Sequence, residues 1–324
     1  MPNYQGVWSL SEQFQNASGW PIPPLTGDIA VIFAALNSSD SIQYQQIATG
    51  GNTLDFGDVS TSLSSSENST MSGPVYALQT QFSTSGSRSD VRYVTIVNKG
   101  NAQDWGSLNR DSWTGSCTSN STRGIMFGNS GSSTSYITYI SVASQGDAAD
   151  FGIYQDGNSY QQGMALSSTT RAVTAGGYHT GVGAPTYATN TMEYVTIAST
   201  GNSSDFGDLT LARRRAGASG SNTRGLFGGG ANNAQYTINT IDYITIASTG
   251  NATDFGDLTQ GRQTTSTSNA TKSVFYGGSV ASPSATYNTI DQVTIASTGN
   301  ATDYGDLQQF TYGSAASNAH GGLS

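Results

Sequence analysis

The chain has 324 residues and a formal net charge of −9, from 12 Lys and Arg against 21 Asp and Glu. Only 10% of its residues are charged and 40 are Gly, which argues against a helical or coiled-coil protein, because helices need Ala, Leu, Glu and Lys. The 17 Tyr, 11 Phe and 4 Trp argue against disorder, since they supply the buried area that a fold requires.

Residues 1–27 form an N-terminal segment without repeats. It carries Trp8, Phe14 and Trp20 beside prolines that leave little room for long regular structure. Two hypotheses stay open: the segment packs across the remaining domain as a lid, or it docks on another protein with these three side chains as anchors. We expect no signal peptide, and the longest apolar run, Ile29–Leu36, is too short for membrane insertion.

Residues 28–324 contain a repeat. The segment Tyr243–Leu258 recurs almost verbatim at Tyr194–Leu209 and Gln292–Leu307, with weaker copies at Tyr44–Val59, Tyr93–Leu108 and Tyr139–Tyr154. One aromatic residue follows an Asp in every copy, at intervals of 46 to 55 residues: Phe56, Trp105, Phe151, Phe206, Phe255 and Tyr304. This period indicates a repeat architecture.

Each copy contains signals for four strands. Tyr-Ile-Thr-Ile-Ala alternates as a half-buried strand does, and Gly-Asn is a turn pair, since both residues tolerate positive φ. The Asp-aromatic-Gly that follows starts another strand, whose ring fills a gap between neighbouring sheets. Upstream lie a glycine-rich strand, Arg224–Gly230, and a run of small residues, Ala216–Ser221. Four strands in about 50 residues predict a β-propeller.

The first copy has no small-residue strand before it. Residues 309–317 align with the small-residue region of the fifth copy, so we predict that they supply the missing strand. This closure removes open sheet edges. The prediction is an all-β, six-bladed propeller over residues 28–324, closed by a C-terminal strand and preceded by an N-terminal attachment segment.

The order of the repeat elements resembles the kelch repeat: Gly228-Gly229, Tyr243, Phe255 with Leu258, then Arg262. The Ala-Ser-Thr-Gly-Asn-Ala-Thr-Asp-Phe-Gly-Asp-Leu repeat also resembles propeller proteins of marine bacteriophages, and Gly6–Gln13 followed by Trp20-Pro21 resembles a leader on phage tail and fibre proteins. The resemblance implies a non-enzymatic virion protein of the tail, fibre or adhesion apparatus, present in many copies and attached to other virion proteins through the N-terminal segment.

Three loops between the glycine-rich and the Tyr-bearing strands are expected to emerge on one face of the ring: Tyr178–Tyr187, Ala231–Tyr236 and Ser279–Tyr287. They are rich in Tyr, Asn, Ser and Thr, which suits recognition of a glycan or a protein on a host surface. The candidate binding residues are Tyr178, His179, Tyr187, Tyr236 and Tyr287.

The sequence shows no evident catalytic or metal-binding site. The repeated Asp-aromatic-Gly-Asp suggests calcium ligands, but turn chemistry explains these Asp residues better. Cys117 is expected to be a buried structural thiol. In Arg213–Arg215, one Arg should take the position after the aromatic strand while the others are solvated. We expect no cofactor, no metal and no catalysis, and the acidic balance argues against nucleic acid.

Four other functions stay open beside that of a tail protein. A capsid-decorating protein is its nearest variant, and a secreted lectin-like module would bind a glycan as an isolated monomer. A carbohydrate-active or an oxidative enzyme would require a metal or a cluster of titratable residues at the central channel.

Overall fold

In a computed structural model, the chain folds as a six-bladed β-propeller. The structure describes residues 24–33, 40–59, 69–80, 90–109, 115–129, 135–155, 160–179, 187–234, 236–280, 284–308 and 313–323. Within these ranges there are six antiparallel sheets of four strands each, one small three-stranded sheet, and no helix. The predicted fold class and the four strands per repeat are confirmed.

The first strand of each blade lines the centre of the ring and the fourth forms its rim. Blade 1 contains β27 (Ser314–Ser317), β1 (Ile29–Phe33), β2 (Ser41–Gln46) and β3 (Leu54–Asp58). Blade 2 contains β4 (Ser69–Ser72), β5 (Tyr76–Thr80), β6 (Asp90–Thr95) and β7 (Gln103–Ser107). Blade 3 contains β8 (Ser116–Ser119), β9 (Arg123–Asn129), β10 (Ser135–Ser141) and β11 (Ala149–Gly152).

The second half of the ring repeats this arrangement. Blade 4 contains β13 (Met164–Ser167), β14 (Arg171–Ala175), β17 (Thr191–Thr196) and β18 (Ser204–Asp208). Blade 5 contains β19 (Gly217–Gly220), β20 (Arg224–Gly228), β21 (Thr240–Thr245) and β22 (Thr253–Asp257). Blade 6 contains β23 (Gln263–Ser268), β24 (Lys272–Val280), β25 (Ala285–Thr294) and β26 (Thr302–Asp306).

The C-terminal strand closes the ring. β27 pairs antiparallel with β1, with Ala30 opposite Ser317 and Phe33 opposite Ser314. This confirms the prediction that the end of the chain completes the first blade, although residues 309–312 lie outside the described ranges. Because the pairing is antiparallel and continuous with the rest of the sheet, the inner edge of β1 is not left open.

The aromatic residue of each repeat is the extra residue of a β-bulge. In blade 5, Ile241 pairs with Gly256 and Asp242 pairs with Asp254, so Phe255 has no opposite residue. The same shift occurs in all six blades. A bulge re-aims a side chain out of the regular alternation, and here it directs the ring into the space between two blades.

The hydrophobic core is divided into six layers, one between each pair of adjacent blades. The layer between blades 5 and 6, for example, contains Phe255 and Leu258 of one blade and Phe275 and Val293 of the next. Five of the six repeat aromatics are buried, and Tyr304 is partly buried. The prediction that these rings fill gaps between sheets is therefore confirmed.

The Gly-Asn pair joins each blade to the preceding one. In blade 5, the Gly250 amide donates to the Phe206 carbonyl at 2.7 Å, and Asn251 Oδ1 accepts from the Asp208 amide at 3.0 Å. The equivalent side-chain acceptors at the six interfaces are Asn52, Asn101, Asp147, Asn202, Asn251 and Asn300. The pair lies between the third and fourth strands of each blade, as predicted, but none of these six residues has positive φ. Their side-chain oxygens serve as acceptors across the blade interface.

The two faces of the ring differ. We call the side on which second strands lead to third strands the loop face, and the opposite side, with the turns after first and third strands, the hairpin face. Leu25 donates to the carbonyl of Val97 at 2.7 Å and Asn318 Oδ1 accepts from the Ile29 amide at 2.8 Å, both on the hairpin face. Trp8, Phe14 and Trp20 lie outside the described residues, so the lid and docking hypotheses both stay predictions.

Candidate functional site

The described ends of the three predicted loops lie on the loop face, and two of the three are more regular than the sequence indicated. β15 (Tyr178–His179) pairs with β16 (Tyr187–Ala188) and with β12 (Tyr160–Gln161) in a small three-stranded sheet. In blade 6, β24 and β25 extend the hairpin so that Tyr287 pairs with Gly278. The prediction of loops is thus partly wrong for the first and third segments, whose ends are strands, while Ala231–Tyr236 contains no strand among its described residues.

The candidate tyrosines occupy different environments on this face. Tyr178 is half-buried, with the Arg214 guanidinium 4.5 Å from its ring centre. Tyr187 and Tyr236 are exposed at 41% and 67%, and Tyr287 is half-buried. Tyr178, His179 and Tyr187 share the small sheet, whereas Tyr236 and Tyr287 belong to the adjacent loops of blades 5 and 6.

A cavity of about 150 Å³ opens at the centre of the loop face. Many of the residues that line it, at and just before the start of the inner strands, are small: Gly115, Gly163, Gly217 and Gly313, followed by Ala165, Ala218 and Ala315. Hydroxyls of Ser and Thr lie between them. The small residues that the sequence showed before each glycine-rich strand therefore shape a funnel.

A ring of serine hydroxyls narrows the channel towards the hairpin face. Each hydroxyl donates to the carbonyl of the equivalent residue in the preceding inner strand: Ser72 to Ser317, Ser119 to Ser72, Ser167 to Ser119, Ser268 to Gly220 and Ser317 to Ser268, at 2.6–2.8 Å. The sixth position of the ring is Gly220. This ring was not predicted, although a Ser near the end of each small-residue run was a visible signal.

The C-terminal residues cross the channel at the hairpin face. His320 Nε2 lies 3.1 Å from the Ser72 carbonyl, and the Gly321 amide donates to the Gly220 carbonyl at 3.1 Å. Since a carbonyl only accepts, Nε2 of His320 carries the proton, and Nδ1 accepts from the Gly322 amide at 3.1 Å. Burial lowers the pKa of His320 to about 4, while the bond to Ser72 opposes this shift.

In the arginine run, Arg213 takes the position after the aromatic strand that Arg262 takes in the next repeat, as predicted, whereas the prediction that Arg214 and Arg215 are solvated is wrong. Arg213 is fully buried and forms an ion pair with Asp242 at 2.5 Å, and Arg262 forms the equivalent pair with Asp291 at 3.0 Å. Burial lowers the pKa of Arg213, and the charge of Asp242 opposes this shift. Arg214 and Arg215 are half-buried, and they donate to the side chains of Gln162 and Gln263.

The repeated carboxylates do not lie in turns. Asp55, Asp205, Asp254 and Asp303 lie on the outer strands, each directly before the extra residue of a bulge. The prediction that these residues lie in turns is therefore wrong, but Asp303 Oδ1 does accept from the amide of Gly305, two residues on, at 3.1 Å, as in an Asx-turn. Within the described ranges, no group of three or more His, Cys, Asp or Glu is arranged to hold a metal ion.

Cys117 is buried in β8, as predicted, and its side chain belongs to the core between blades 2 and 3. Its Sγ lies 3.9 Å from Thr80 Oγ1. Burial raises the pKa of the thiol to about 12. A thiol of this kind stays protonated at neutral pH and has little nucleophilic character.

The fold and the channel define a six-bladed β-propeller with a funnel on one face and a C-terminal crossing on the other. No family model matches the chain, and no curated protein matches it significantly. No helix among the described residues is long and apolar enough to cross a membrane.

Proposed function

We propose that the protein is a non-enzymatic structural component of a bacteriophage particle, in the tail, fibre or adhesion apparatus. It attaches to other virion proteins through residues 1–27 and presents the loop face to a host surface or to a neighbouring protein. The resemblance of the repeat and of Gly6–Gln13 to phage proteins is the reason for choosing the particle as its location.

The observation that carries the proposal is that the described end of the N-terminal segment and the exposed tyrosines lie on opposite faces of the ring. The described part of the N-terminal segment reaches the ring at Val97, on the hairpin face. The exposed Tyr187 and Tyr236 stand on the loop face. A segment that docks on the hairpin side leaves the loop face accessible, which is the arrangement an attached binding module needs.

The hydrogen bonds between adjacent blades also suit a structural role. Amide and side-chain bonds of the Gly-Asn pair, which is Gly146-Asp147 in blade 3, recur at all six blade interfaces. Basic side chains add to them: Arg123, Arg171 and Arg224 each donate to two consecutive carbonyls of the next blade. Such a ring holds its loops in fixed relative positions.

The test is the location of the protein in purified particles, by mass spectrometry of separated tails and capsids and by antibody labelling in electron microscopy. Detection in tails supports the proposal, detection in capsids alone replaces it with the decorating role, and absence from particles overturns it. In the full chain, Trp8→Ala/Phe14→Ala/Trp20→Ala should abolish incorporation. Tyr187→Ala/Tyr236→Ala is the matched control, which should be incorporated normally and reduce adsorption to the host.

A further inference from the structure

Exposed aromatic rings lie on the loop face at blades 4 and 5. Among the aromatic side chains whose exposure the structure describes, Tyr187 and Tyr236 are the exposed ones, at 41% and 67%. Tyr187 belongs to β16, and Tyr236 ends the loop Ala231–Tyr236, which we call the blade 5 loop. Large rings exposed on two neighbouring segments make a candidate contact surface, because folding normally buries such area.

A direct hydrogen bond joins the two segments that carry these rings. The amide of Ala188, next to Tyr187 in β16, donates to Oδ1 of Asn233 in the blade 5 loop. Tyr236 is folded back beside this bond: its amide donates to Asn232 Oδ1 at 3.1 Å, and its carbonyl accepts from the Asn232 amide at 3.1 Å. The two exposed tyrosines are therefore attached on either side of one contact.

Arg214 holds both segments in place. Its amide and carbonyl both pair with Ala231, at 3.0 and 2.9 Å, at the base of the blade 5 loop. Its guanidinium lies 4.5 Å from the ring centre of Tyr178 in β15, the strand that pairs with β16. It also donates to Gln162 Oε1 at 3.1 Å. A surface that is fixed in this way loses little conformational entropy when it binds a partner.

Asn233 supplies an oriented polar group at the same contact. It is exposed, and because its Oδ1 accepts from the Ala188 amide, the direction of its carboxamide is set. Its Nδ2 remains a donor and has no partner among the described residues. The face of an aromatic ring carries partial negative charge and attracts polarised C–H groups, while an amide N–H donates to a hydroxyl. Sugars present both kinds of group, so ring faces beside an oriented amide match a carbohydrate.

We propose that Tyr187, Asn233 and Tyr236 bind a neutral oligosaccharide, with sugar rings stacked on the tyrosines and a sugar hydroxyl accepting from Asn233 Nδ2. The ligand is neutral because none of the three side chains carries a charge at neutral pH. It is longer than one sugar because the two rings belong to separate segments. The inference deepens the proposed function, since it names the ligand class of the loop face, and it rests on that function only for the biological source of the glycan.

The experiment uses the full chain and a panel of cellotriose, chitotriose, mannotriose and lactose, with binding measured by saturation-transfer NMR and calorimetry. At least one of these sugars should bind. Tyr187→Ala/Tyr236→Ala should weaken that binding by about ten-fold or more, whereas Tyr187→Phe/Tyr236→Phe keeps both ring faces and should stay within about three-fold. Asn233→Asp keeps the acceptor for Ala188 but loses the donor, so it should weaken binding by about five-fold.

Leu54→Ala is the matched control, because Leu54 is 50% exposed on the outer strand of blade 1, and this variant should bind as the wild type does. Failure of every sugar in the panel to bind, or binding that the double alanine variant leaves unchanged, overturns the proposal. A pull-down of a purified virion protein that depends on Tyr187 and Tyr236, without sugar binding, also overturns it and makes the surface a protein interface. Sugar binding by a protein absent from particles would instead overturn the proposed function and leave the sugar site standing.

Discussion

The hydroxyl of Ser72 donates to the carbonyl of Ser317 at 2.7 Å, across 245 residues of sequence. This bond joins the first inner strand of the chain to the last, beside the pairing of β27 with β1. Ser317 in turn donates to Ser268 at 2.6 Å. Two sets of contacts therefore hold β27 in the closed propeller: its pairing with β1 and the hydrogen bonds of the serine ring.

We expect Ser317→Ala to lower the free energy of unfolding by about 1–3 kcal/mol, because it removes a buried bond and leaves the Ser268 carbonyl without that donor. Urea denaturation monitored by tryptophan fluorescence measures the loss. Ser314→Ala on the same strand is the control and should change stability by much less. Equal effects of the two variants would contradict a stabilising role for the serine ring.

Gly220, the position of the serine ring that lacks a hydroxyl, gives a second prediction. Gly220→Ser would place a sixth hydroxyl in the serine ring. However, a Cβ at this position would lie 2.2 Å from the Arg224 carbonyl oxygen. We therefore expect the variant to be destabilised, by about 1–3 kcal/mol of overpacking. Thermal unfolding measures it, and a raised melting temperature would show that β19 can shift to admit the side chain.

Much of the fold was predictable because its signals are local and repeated. The aromatics from Phe56 to Tyr304, the strand alternation and the small residues each lie within one copy of the repeat. Contacts between blades were not predictable in this way. Asn52 looks like a turn residue, yet its oxygen accepts from the amide of Asp306 at the other end of the chain.

The site was less predictable than the fold, for the same reason. Ser72 and Ser317 donate to backbone carbonyls, which every residue has, so their sequence does not identify a partner. Arg213 was visible as a charge, but its burial depends on Asp242 in the next blade. β12 (Tyr160–Gln161) is too short to show any alternation.

The hydrogen bonds between adjacent blades predict unequal losses of stability for two variants at one interface. In the interface of blades 5 and 6, Asn300 Oδ1 accepts from Asp257 at 3.0 Å, and a Cβ on Gly256 would lie 2.4 Å from the Gly299 carbonyl. Asn300→Ala should cost about 1 kcal/mol in unfolding free energy. Gly256→Ala should cost more, because it adds this overlap at a φ of +147°. Chemical denaturation of both variants tests the order, and a smaller loss for Gly256→Ala would contradict the close approach.

The buried ion pair of Arg213 and Asp242 predicts a large effect of removing one charge. Asp242 also accepts from the amide and hydroxyl of Thr210, at 3.0 and 2.6 Å. Asp242→Asn leaves a buried guanidinium without its counter-charge, so we expect a loss of about 3–5 kcal/mol. Arg213→Met/Asp242→Leu should lose less than the single variant, since it buries no charge. A double variant that unfolds at lower urea than Asp242→Asn would contradict this account.

His320 predicts a loss of stability between pH 6.5 and about 4. Above pH 6.5 the imidazole is neutral in both states, so it contributes no pH dependence. Between these values the unfolded chain binds a proton at the ordinary pKa of 6.5, whereas burial holds the folded pKa near 4. Unfolding is then favoured as the pH falls, by at most about 3 kcal/mol from this residue.

Below pH 4 both states are protonated and this contribution to the slope ends. His320→Gln should remove that part of the slope, because its amide stays neutral and still offers an N–H to the Ser72 carbonyl. Unfolding free energies of the wild type and the variant, measured by urea denaturation from pH 7.5 to 4, provide the comparison. If His320→Gln keeps the full slope, proton binding elsewhere in the chain sets the acid sensitivity, and the C-terminal crossing is not held by a neutral histidine.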